Sequence, residues 1–298
     1  MGTTQDRSVR LLRVSTTRTD GGTVFGSVPK PTWENFLPPD RLNRVSFGNY
    51  CLLVNLNGKW ILVDSGPGDK PPTDLNVPVT RNRSSLLRDL RALGISPRDI
   101  DTVILTHLHS EHAGGITHTT SSGRVVPTFP SARHIIQLAA WEEANDPSER
   151  NSGYYCADDF LPLEKEVNLE LITGLAEIVP SMWVEPMPGP TSGHQMVRVE
   201  IQGWTFAFLG ALVPTAMHLS PGIAAASDWD PDQTVMSKKM IVQRAVEGQW
   251  ALAPAGSDEW VSPESLSELA VKVRGIPTVA PGADITLPKP TLEPAVVS

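Results

Sequence analysis

Apolar runs and alternating apolar positions predict strands along most of the chain. Residues 50–56 (YCLLVNL) and 59–66 (KWILVDSG) flank Asn57-Gly58, a pair typical of tight hairpin turns, so they predict two antiparallel strands. Residues 101–106 (DTVILT) predict a buried strand. Further strands are predicted at 132–138, 167–173, 176–184, 196–203 and 204–210.

Helical signals are fewer and more widely separated. Leucines at helical spacing predict a helix within residues 84–94, which end in a glycine. Asp230-Pro231 combines an N-cap residue with proline at the first helical position and predicts a helix over 231–247. Ser262-Pro263 does the same for 262–274.

The order of these elements predicts one large domain. Two blocks of strands with interspersed helices favour an α/β fold, an αββα sandwich in which two mixed β-sheets pack face to face with helices outside. We expect this domain to occupy residues 1–275. Residues 276–298 contain five prolines and no apolar period, and they predict a Pro-rich C-terminal tail.

Composition narrows the classes of partner. A formal charge of -8 argues against nucleic acid or an anionic membrane surface, because both are bound through clustered lysine and arginine. No apolar run approaches the roughly 20 residues of a membrane span. The N-terminal sequence has no signal-peptide pattern, and the chain has only two cysteines, so we expect a cytoplasmic protein that acts on a small molecule. The oligomeric state stays open.

The segment THLHSEHAGG places three histidines and one carboxylate directly after the predicted strand 101–106. His107, His109 and His112, with Glu111 between them, precede a glycine pair. The segment resembles the H-x-H-x-D-H signature of the metallo-β-lactamase superfamily. Residues 61–69 (ILVDSGPGD) resemble the first motif of that family, in which Asp64 would brace the metal loop. The resemblance covers residues 20–260.

This resemblance implies an αββα fold with metals at the sheet edge. It also implies hydrolysis of esters, lactones, thioesters, amides or phosphodiesters. Several positions depart from the family pattern: Glu111 stands for aspartate, Pro190 occupies the place of a ligand histidine in G-H-T-x-G-H, and Ala211 occupies that of the bridging aspartate. His194 is retained, but no histidine follows in residues 253–260.

With these ligands missing, the sequence predicts no stable dinuclear site and no cofactor. The alternative is a residual single zinc or iron ion on His107, His109 and His112. In a second version of that alternative, the single ion is bound by His107, His109 and His194. The predicted catalytic residues are His107, His109, Glu111, His112 and His194. The predicted substrate-binding residues are His218, Trp33, Trp229 and Trp260.

Three functions remain open from the sequence. The first is metal-independent acid/base chemistry, such as cyclisation, dehydration, isomerisation or elimination, on a largely apolar small molecule. The second is hydrolysis of esters or lactones by a single-metal enzyme. The third is a catalytically inactive protein that binds a small molecule.

Overall fold

The computed structural model describes residues 7–70, 80–81, 84–257 and 259–269. The strands in these residues are β1 (Arg7–Asp20), β2 (Arg44–Leu56), β3 (Lys59–Val63), β4 (Thr80–Arg81), β5 (Ile100–Ile104), β6 (Thr117–Thr119), β7 (Val125–Pro127), β8 (Arg133–Gln137), β9 (Asn168–Ile172), β10 (Ala176–Val179), β11 (Met182–Pro186), β12 (Gln195–Ile201), β13 (Trp204–Phe208) and β14 (Trp250–Ala253). The helices are α1 (Gly21–Phe25), α2 (Lys30–Trp33), α3 (Leu86–Ala92), α4 (Ser110–Ala113), α5 (Leu138–Asn145), α6 (Ala157–Phe160), α7 (Leu163–Glu166), α8 (Pro231–Gly248) and α9 (Pro263–Leu269).

The strands form two mixed sheets and a small hairpin. The first sheet has the order β4-β1-β2-β3-β5-β8-β9, and its strands from β3 to β9 run parallel to one another. The second sheet has the order β10-β11-β12-β13-β14, in which only β13 and β14 pair in parallel. Strands β6 and β7 pair separately.

Side-chain alternation along the strands assigns each face of the sheets to a different core. Leu52 and Val54 of β2 pack between the two sheets, whereas Cys51 and Leu53 point to the opposite face, in the core shared with α3 and α5. On the second sheet, Met196 faces away from the first sheet and joins a core with residues of α8. The layers therefore run helix, sheet, sheet, helix, and the predicted αββα sandwich is confirmed.

Two strand predictions require correction. The stretch 176–184 is not one strand: β10 and β11 are separated by a turn at Pro180 and Ser181, where Ser181 adopts a positive φ of 73°. The sequence also predicts nothing before Tyr50, yet β1 is a 14-residue strand paired with β2 along its length.

Other predictions agree with the structure or lie beyond it. Helix α8 matches the predicted helix 231–247 to within one residue. The tail 276–298 and the end of the proposed domain at residue 275 lie outside the described residues, so both stay predictions. No helix within the described part of the chain has the length and apolar character needed to cross a bilayer.

Candidate functional site

The site is built on the ends of two parallel strands of the first sheet. Asp64 follows β3 and adopts a positive φ of 60°, a conformation that aspartate tolerates better than most residues. Its carboxylate accepts hydrogen bonds from the backbone N–H of Thr106 (2.8 Å) and from the Thr106 hydroxyl (2.9 Å), directly after β5. It also accepts a bond from His112 Nδ1 at 2.6 Å. Asp64 thus braces the histidine loop, as the sequence predicts.

Hydrogen bonds at Nδ1 determine the tautomers of three histidines. The Thr106 hydroxyl donates to Asp64, so at 3.0 Å it accepts a bond from Nδ1–H of His107. His194 Nδ1 lies 3.0 Å from the carbonyl oxygen of Met187 and must donate to it. His112 Nδ1 donates to Asp64 in the same way. In the neutral rings of His107 and His194, Nε2 therefore carries a lone pair, which is the form in which histidine binds a metal.

The second sheet delivers the fourth histidine to this loop. The backbone N–H of Gln195, at the start of β12, donates to the carbonyl oxygen of Thr106 at 2.8 Å, and its side-chain amide donates to that of Leu105 at 2.8 Å. The ring of His107 consequently lies 5.3 Å from that of His194 between centroids. The His107 ring is also 4.7 Å from the His109 ring and 4.4 Å from the His112 ring. The structure brings all four predicted histidines together.

The donor set fits a single metal ion after small adjustments. With Zn–N bonds of ~2.0–2.1 Å in tetrahedral geometry, imidazole centroids around one zinc lie roughly 5 Å apart, close to the spacing of His107, His109 and His194. The buried Nε2 atoms of His107 and His194 have no hydrogen-bond partner. No group of three or more His, Cys, Asp or Glu side chains in the described ranges is already arranged to hold an ion. Side-chain rotations would therefore have to accompany binding.

The position of Pro190 corrects one of the sequence arguments. Within the segment GPTSGH, the residue that joins the histidine cluster is His194, whereas Pro190 lies on the cavity wall. The segment therefore keeps its nitrogen donor despite Pro190. Ala211 and Gly256 also line the cavity, and neither has a side-chain atom that could bind a metal, whereas Glu111 and His112 of the histidine loop do.

Burial makes the central imidazoles weak bases. The pKa of His107 lies well below its ordinary value, first because of burial and then because of His112, His109 and His194 nearby. Burial likewise lowers the pKa of His194 to about 3. Both rings are neutral at pH 7 and lack the acidic proton of an imidazolium, so they suit metal ligation better than general acid catalysis.

The cluster opens into a cavity of about 90 Å³. His109, Glu111 and His112 form its floor, and Tyr154 lies against His109 with the ring centroids 5.0 Å apart. The pKa of Tyr154 is raised, first by burial and then by the charge of Glu111, so its hydroxyl stays protonated. The sequence does not predict Tyr154 as a site residue, because no pattern around a loop tyrosine indicates which residues it contacts in the fold.

The remaining walls combine hydroxyl groups, apolar groups and one carboxylate. Thr17 and Thr19 contribute hydroxyls from alternate positions of β1, and Asn49 lies beside them on β2. Asp228 contributes the carboxylate. The period of two at Thr17 and Thr19 would have been a usable signal if β1 had been recognised as a strand.

Two predicted substrate-binding tryptophans lie in cores. Trp33 is 2% exposed and stacks on Phe25 at a centroid distance of 4.8 Å. Trp260 packs edge-on against Phe206 at 4.9 Å, beside the core between the sheets. Both rings pack against other aromatic side chains and neither lines the cavity, so the structure does not support a role for them as substrate contacts.

The other two predicted contacts also lie away from the cavity wall. His218 is buried, and its Nε2 lies 2.8 Å from the carbonyl oxygen of Val24. It supports Val24, which does line the cavity. Trp229 is 46% exposed, and its backbone N–H donates to the carbonyl oxygen of Pro190. Both residues therefore contact the cavity lining, at Val24 and Pro190, without being part of it.

Known proteins with similar sequences and folds include lactonases and hydrolases. The chain is 28% identical to an N-acyl homoserine lactonase from a Bacillus species over 167 residues, which are 51% of this chain and 58% of that protein. A Staphylococcus aureus protein described as a "probable metal-dependent hydrolase" has a TM-score of 0.78 and 26% identity, and the match covers 86% of this chain and 92% of that chain. AidC, a dizinc quorum-quenching lactonase, has a TM-score of 0.65 and 16% identity, covering 83% and 90% of the two chains.

These similarities correct the prediction about cofactors. The S. aureus protein is described as a probable metal-dependent hydrolase, and AidC, which shares the fold, is a dizinc enzyme. The prediction that the protein needs no cofactor is therefore wrong, and the comparisons point to a metal. The lyase, isomerase and cyclase reactions considered from the sequence have no counterpart among these relatives.

The extent of each match limits what it establishes. The chain spans less than two thirds of the length of the curated lactonases that it matches, with 58% and 61% in two of them. The identity with AidC is low enough that this likeness concerns the fold alone. The sequence profile of the metallo-beta-lactamase superfamily, however, matches residues 45–270, which include every histidine of the cluster. The chain belongs to the metallo-beta-lactamase superfamily.

Proposed function

We propose that the protein is a single-metal hydrolase of uncharged or cationic esters or lactones, with a zinc or iron ion held by His107, His109 and His194. The observation that carries this proposal is the pair of buried Nε2 lone pairs on His107 and His194, which have no hydrogen-bond partner and lie beside His109. An ion bound there would polarise an ester carbonyl and lower the pKa of a water molecule. The similarity to N-acyl homoserine lactonases supports an ester or lactone bond as the bond that is hydrolysed.

One ion is proposed because the two metal positions of the family have different numbers of donor side chains in this chain. Three protein ligands are the usual complement of a catalytic zinc site, and the first position has three histidines. The second position has His112 and Glu111, while Ala211 brings a methyl group where the family places a bridging carboxylate. An ion there would lack the anion that joins two cations, so it would be held much more weakly.

The surrounding residues orient the ligands and select the substrate. Asp64 holds His112 directly and His107 through the Thr106 hydroxyl, so one carboxylate fixes two imidazoles. Glu111 lies on the cavity floor, where its carboxylate can take a proton from water and return it to the leaving alcohol. Its extra methylene relative to aspartate extends its reach into the cavity.

Metal analysis combined with a hydrolysis assay tests the proposal. Protein purified without chelator should contain about one zinc or iron per chain, and a chelator should abolish hydrolysis of an N-acyl homoserine lactone until metal is returned. His194→Ala should lower the bound metal at least tenfold. His118→Ala, at an exposed position of β6, is the matched control and should leave the metal content unchanged.

Three results would contradict this function. Two tightly held ions per chain would show that the second position is complete. Lactone hydrolysis that survives full metal removal would exclude the metal from the reaction. Equal metal content in His194→Ala and the parent protein would remove His194 from the ligand set.

A further inference from the structure

In the described part of the chain, the carboxylates that line the cavity have no lysine or arginine beside them in the lining. Among the described residues that line it, Glu111 and Asp228 carry carboxylates, and none is a lysine or an arginine. The other polar groups in the lining, such as the hydroxyl of Thr19, are uncharged. An anionic substrate would meet two negative charges and no positive side chain, whereas a cationic group would find two acceptors.

Asp228 is the more deeply set of the two carboxylates. The residue is 4% exposed, and its Oδ2 accepts a hydrogen bond from the backbone N–H of Ala225 at 3.2 Å. The hydroxyl of Thr234, on α8, lies next to the carboxylate. A carboxylate has room for about four such bonds, so Asp228 can accept more from a molecule in the cavity.

Two cations hold the Asp228 loop from outside the cavity. Arg150 Nη1 donates to the backbone carbonyl of Asp228 at 2.8 Å, and its Nη2 donates to that of Ala226. Lys238, buried on α8, donates through Nζ to the carbonyl oxygen of Ile223. Both cations are engaged by main-chain oxygens, which hold the loop that places Asp228 in the cavity wall.

We propose that Asp228 determines the substrate specificity of the site by accepting a hydrogen bond from a protonated amino group, so that the substrates are small amino-lactones or amino-esters. This inference rests on the proposed hydrolase function. Charge-assisted hydrogen bonds in a desolvated setting are the stronger ones, which makes an ammonium group a better match than a neutral hydroxyl.

The ionisation of Asp228 agrees with such a partner. Burial raises its pKa to about 6, although Thr234, Lys238, Ala225 and Arg150 all act to lower it. The charged form is thus incompletely stabilised in the protein alone. An ammonium group in the cavity would supply the missing favourable interaction.

A pair of lactones that differ in one group tests the inference on the metal-loaded enzyme. We expect kcat/KM for α-amino-γ-butyrolactone to exceed that for γ-butyrolactone by about tenfold or more, mainly through KM. Asp228→Asn should reduce this ratio at least fivefold, whereas Asp232→Asn, an exposed position on α8, should preserve it. Equal kcat/KM values for both lactones in the parent enzyme, or an unchanged ratio in Asp228→Asn, would overturn the inference.

A binding measurement on the parent enzyme avoids dependence on the fold of a variant. The ammonium of α-amino-γ-butyrolactam stays protonated below pH 7, because α-amino groups titrate near ~7.7–8.0. Its affinity, measured by calorimetry, should fall about tenfold between pH 7 and pH 5 as Asp228 takes up a proton. An affinity that does not change with pH would overturn the inference.

The two measurements also separate the inference from the function on which it rests. If neither lactone is hydrolysed but the lactam binds with the expected pH dependence, the hydrolase proposal fails and recognition by Asp228 stands. If both lactones are hydrolysed equally well, the hydrolase proposal stands and the role of Asp228 fails.

Discussion

Gly210 shows how a residue without a donor atom can control the geometry of the proposed metal site. It lies between β13 and Ala211 at a positive φ of 52°, and a Cβ atom added to it would lie 2.7 Å from His194 Nε2 and 2.9 Å from the Thr106 hydroxyl oxygen. Only glycine leaves room there for the imidazole in its present position. The close approach of backbone and ligand nitrogen therefore depends on this residue.

Gly210→Ala should accordingly weaken metal binding without removing a ligand. The added methyl group would push the His194 ring away from His107 and also strain the backbone, at a cost of ~1–3 kcal/mol in unfolding free energy. We expect at least a tenfold loss of zinc affinity in a competition titration against a chelator. Gly222→Ala is the matched control, because a Cβ atom there would have no neighbour within 4 Å. Equal affinities in the two variants would contradict this account.

At the scale of elements, Gln195 joins the sheets where the site lies. Its backbone and side-chain N–H groups donate to Thr106 and Leu105 of the first sheet, and its Oε1 accepts a bond from Gln137 at 2.9 Å. Gln195→Ala would leave the buried carbonyl oxygen of Leu105 without this donor, which should cost ~1–3 kcal/mol of stability in urea unfolding.

An exposed glutamine supplies the comparison for this prediction. Gln243 lies on the outer face of α8, and Gln243→Ala should change the unfolding free energy by less than ~0.5 kcal/mol. If both variants unfolded at the same urea concentration, the hydrogen bonds of Gln195 would not contribute to docking of the two sheets.

The elements also show why some strands could be predicted and others could not. Strands β3 and β5 contain the buried apolar runs ILV (61–63) and VI (103–104), so their hydrophobic pattern was sufficient to predict them. Strand β1 carries arginines on its exposed positions and has a bulge between Arg13 and Ser15, which shifts the alternation by one residue. A period of two therefore fails halfway along β1, although its pairing with β2 continues.

At the scale of the whole molecule, buried histidines away from the site make stability depend on pH. His134 is fully buried in β8, and burial lowers its pKa to about 4 from an ordinary value of 6.5. Between these two values the unfolded chain binds a proton that the folded chain does not. The unfolding free energy should therefore fall as the pH drops from 6.5 to 4, by up to ~1.4 kcal/mol per pH unit for this residue.

His134→Asn tests the contribution of this histidine. The asparagine amide can keep the bond that Nδ1 of His134 makes to the carbonyl oxygen of Ala132, but it has no proton to gain. In urea unfolding of metal-free protein between pH 4.5 and 7, this variant should show a shallower loss of stability than the parent. The exposed His118→Asn should follow the parent. Identical slopes for parent and His134→Asn would show that the charge of His134 does not govern the loss.

The histidines of the candidate site could be predicted from the sequence, whereas the residues of the cavity around them required the folded molecule. His107, His109 and His112 lie within one short segment, so sequence spacing alone brought them together. His194 was predicted from the family resemblance of GPTSGH, and it reaches the other three through the pairing of Gln195 with the loop after β5, a contact between sheets that no local pattern encodes. The predictions for Trp33 and Trp260 failed because the sequence around a tryptophan does not show whether its ring packs in a core or lines a cavity.

The split of the histidines between the two sheets has a consequence for the order of events during synthesis. At ~5–20 residues per second, a growing chain carries His107, His109 and His112 for roughly 4–16 s before His194 is made. During that interval Gln195 is also absent, so nothing from the second sheet fastens the loop. The proposed ligand set therefore comes into existence only when β12 docks. Closure of the sandwich, rather than synthesis of the histidine motif, would then set the moment at which a nascent chain can retain a metal ion.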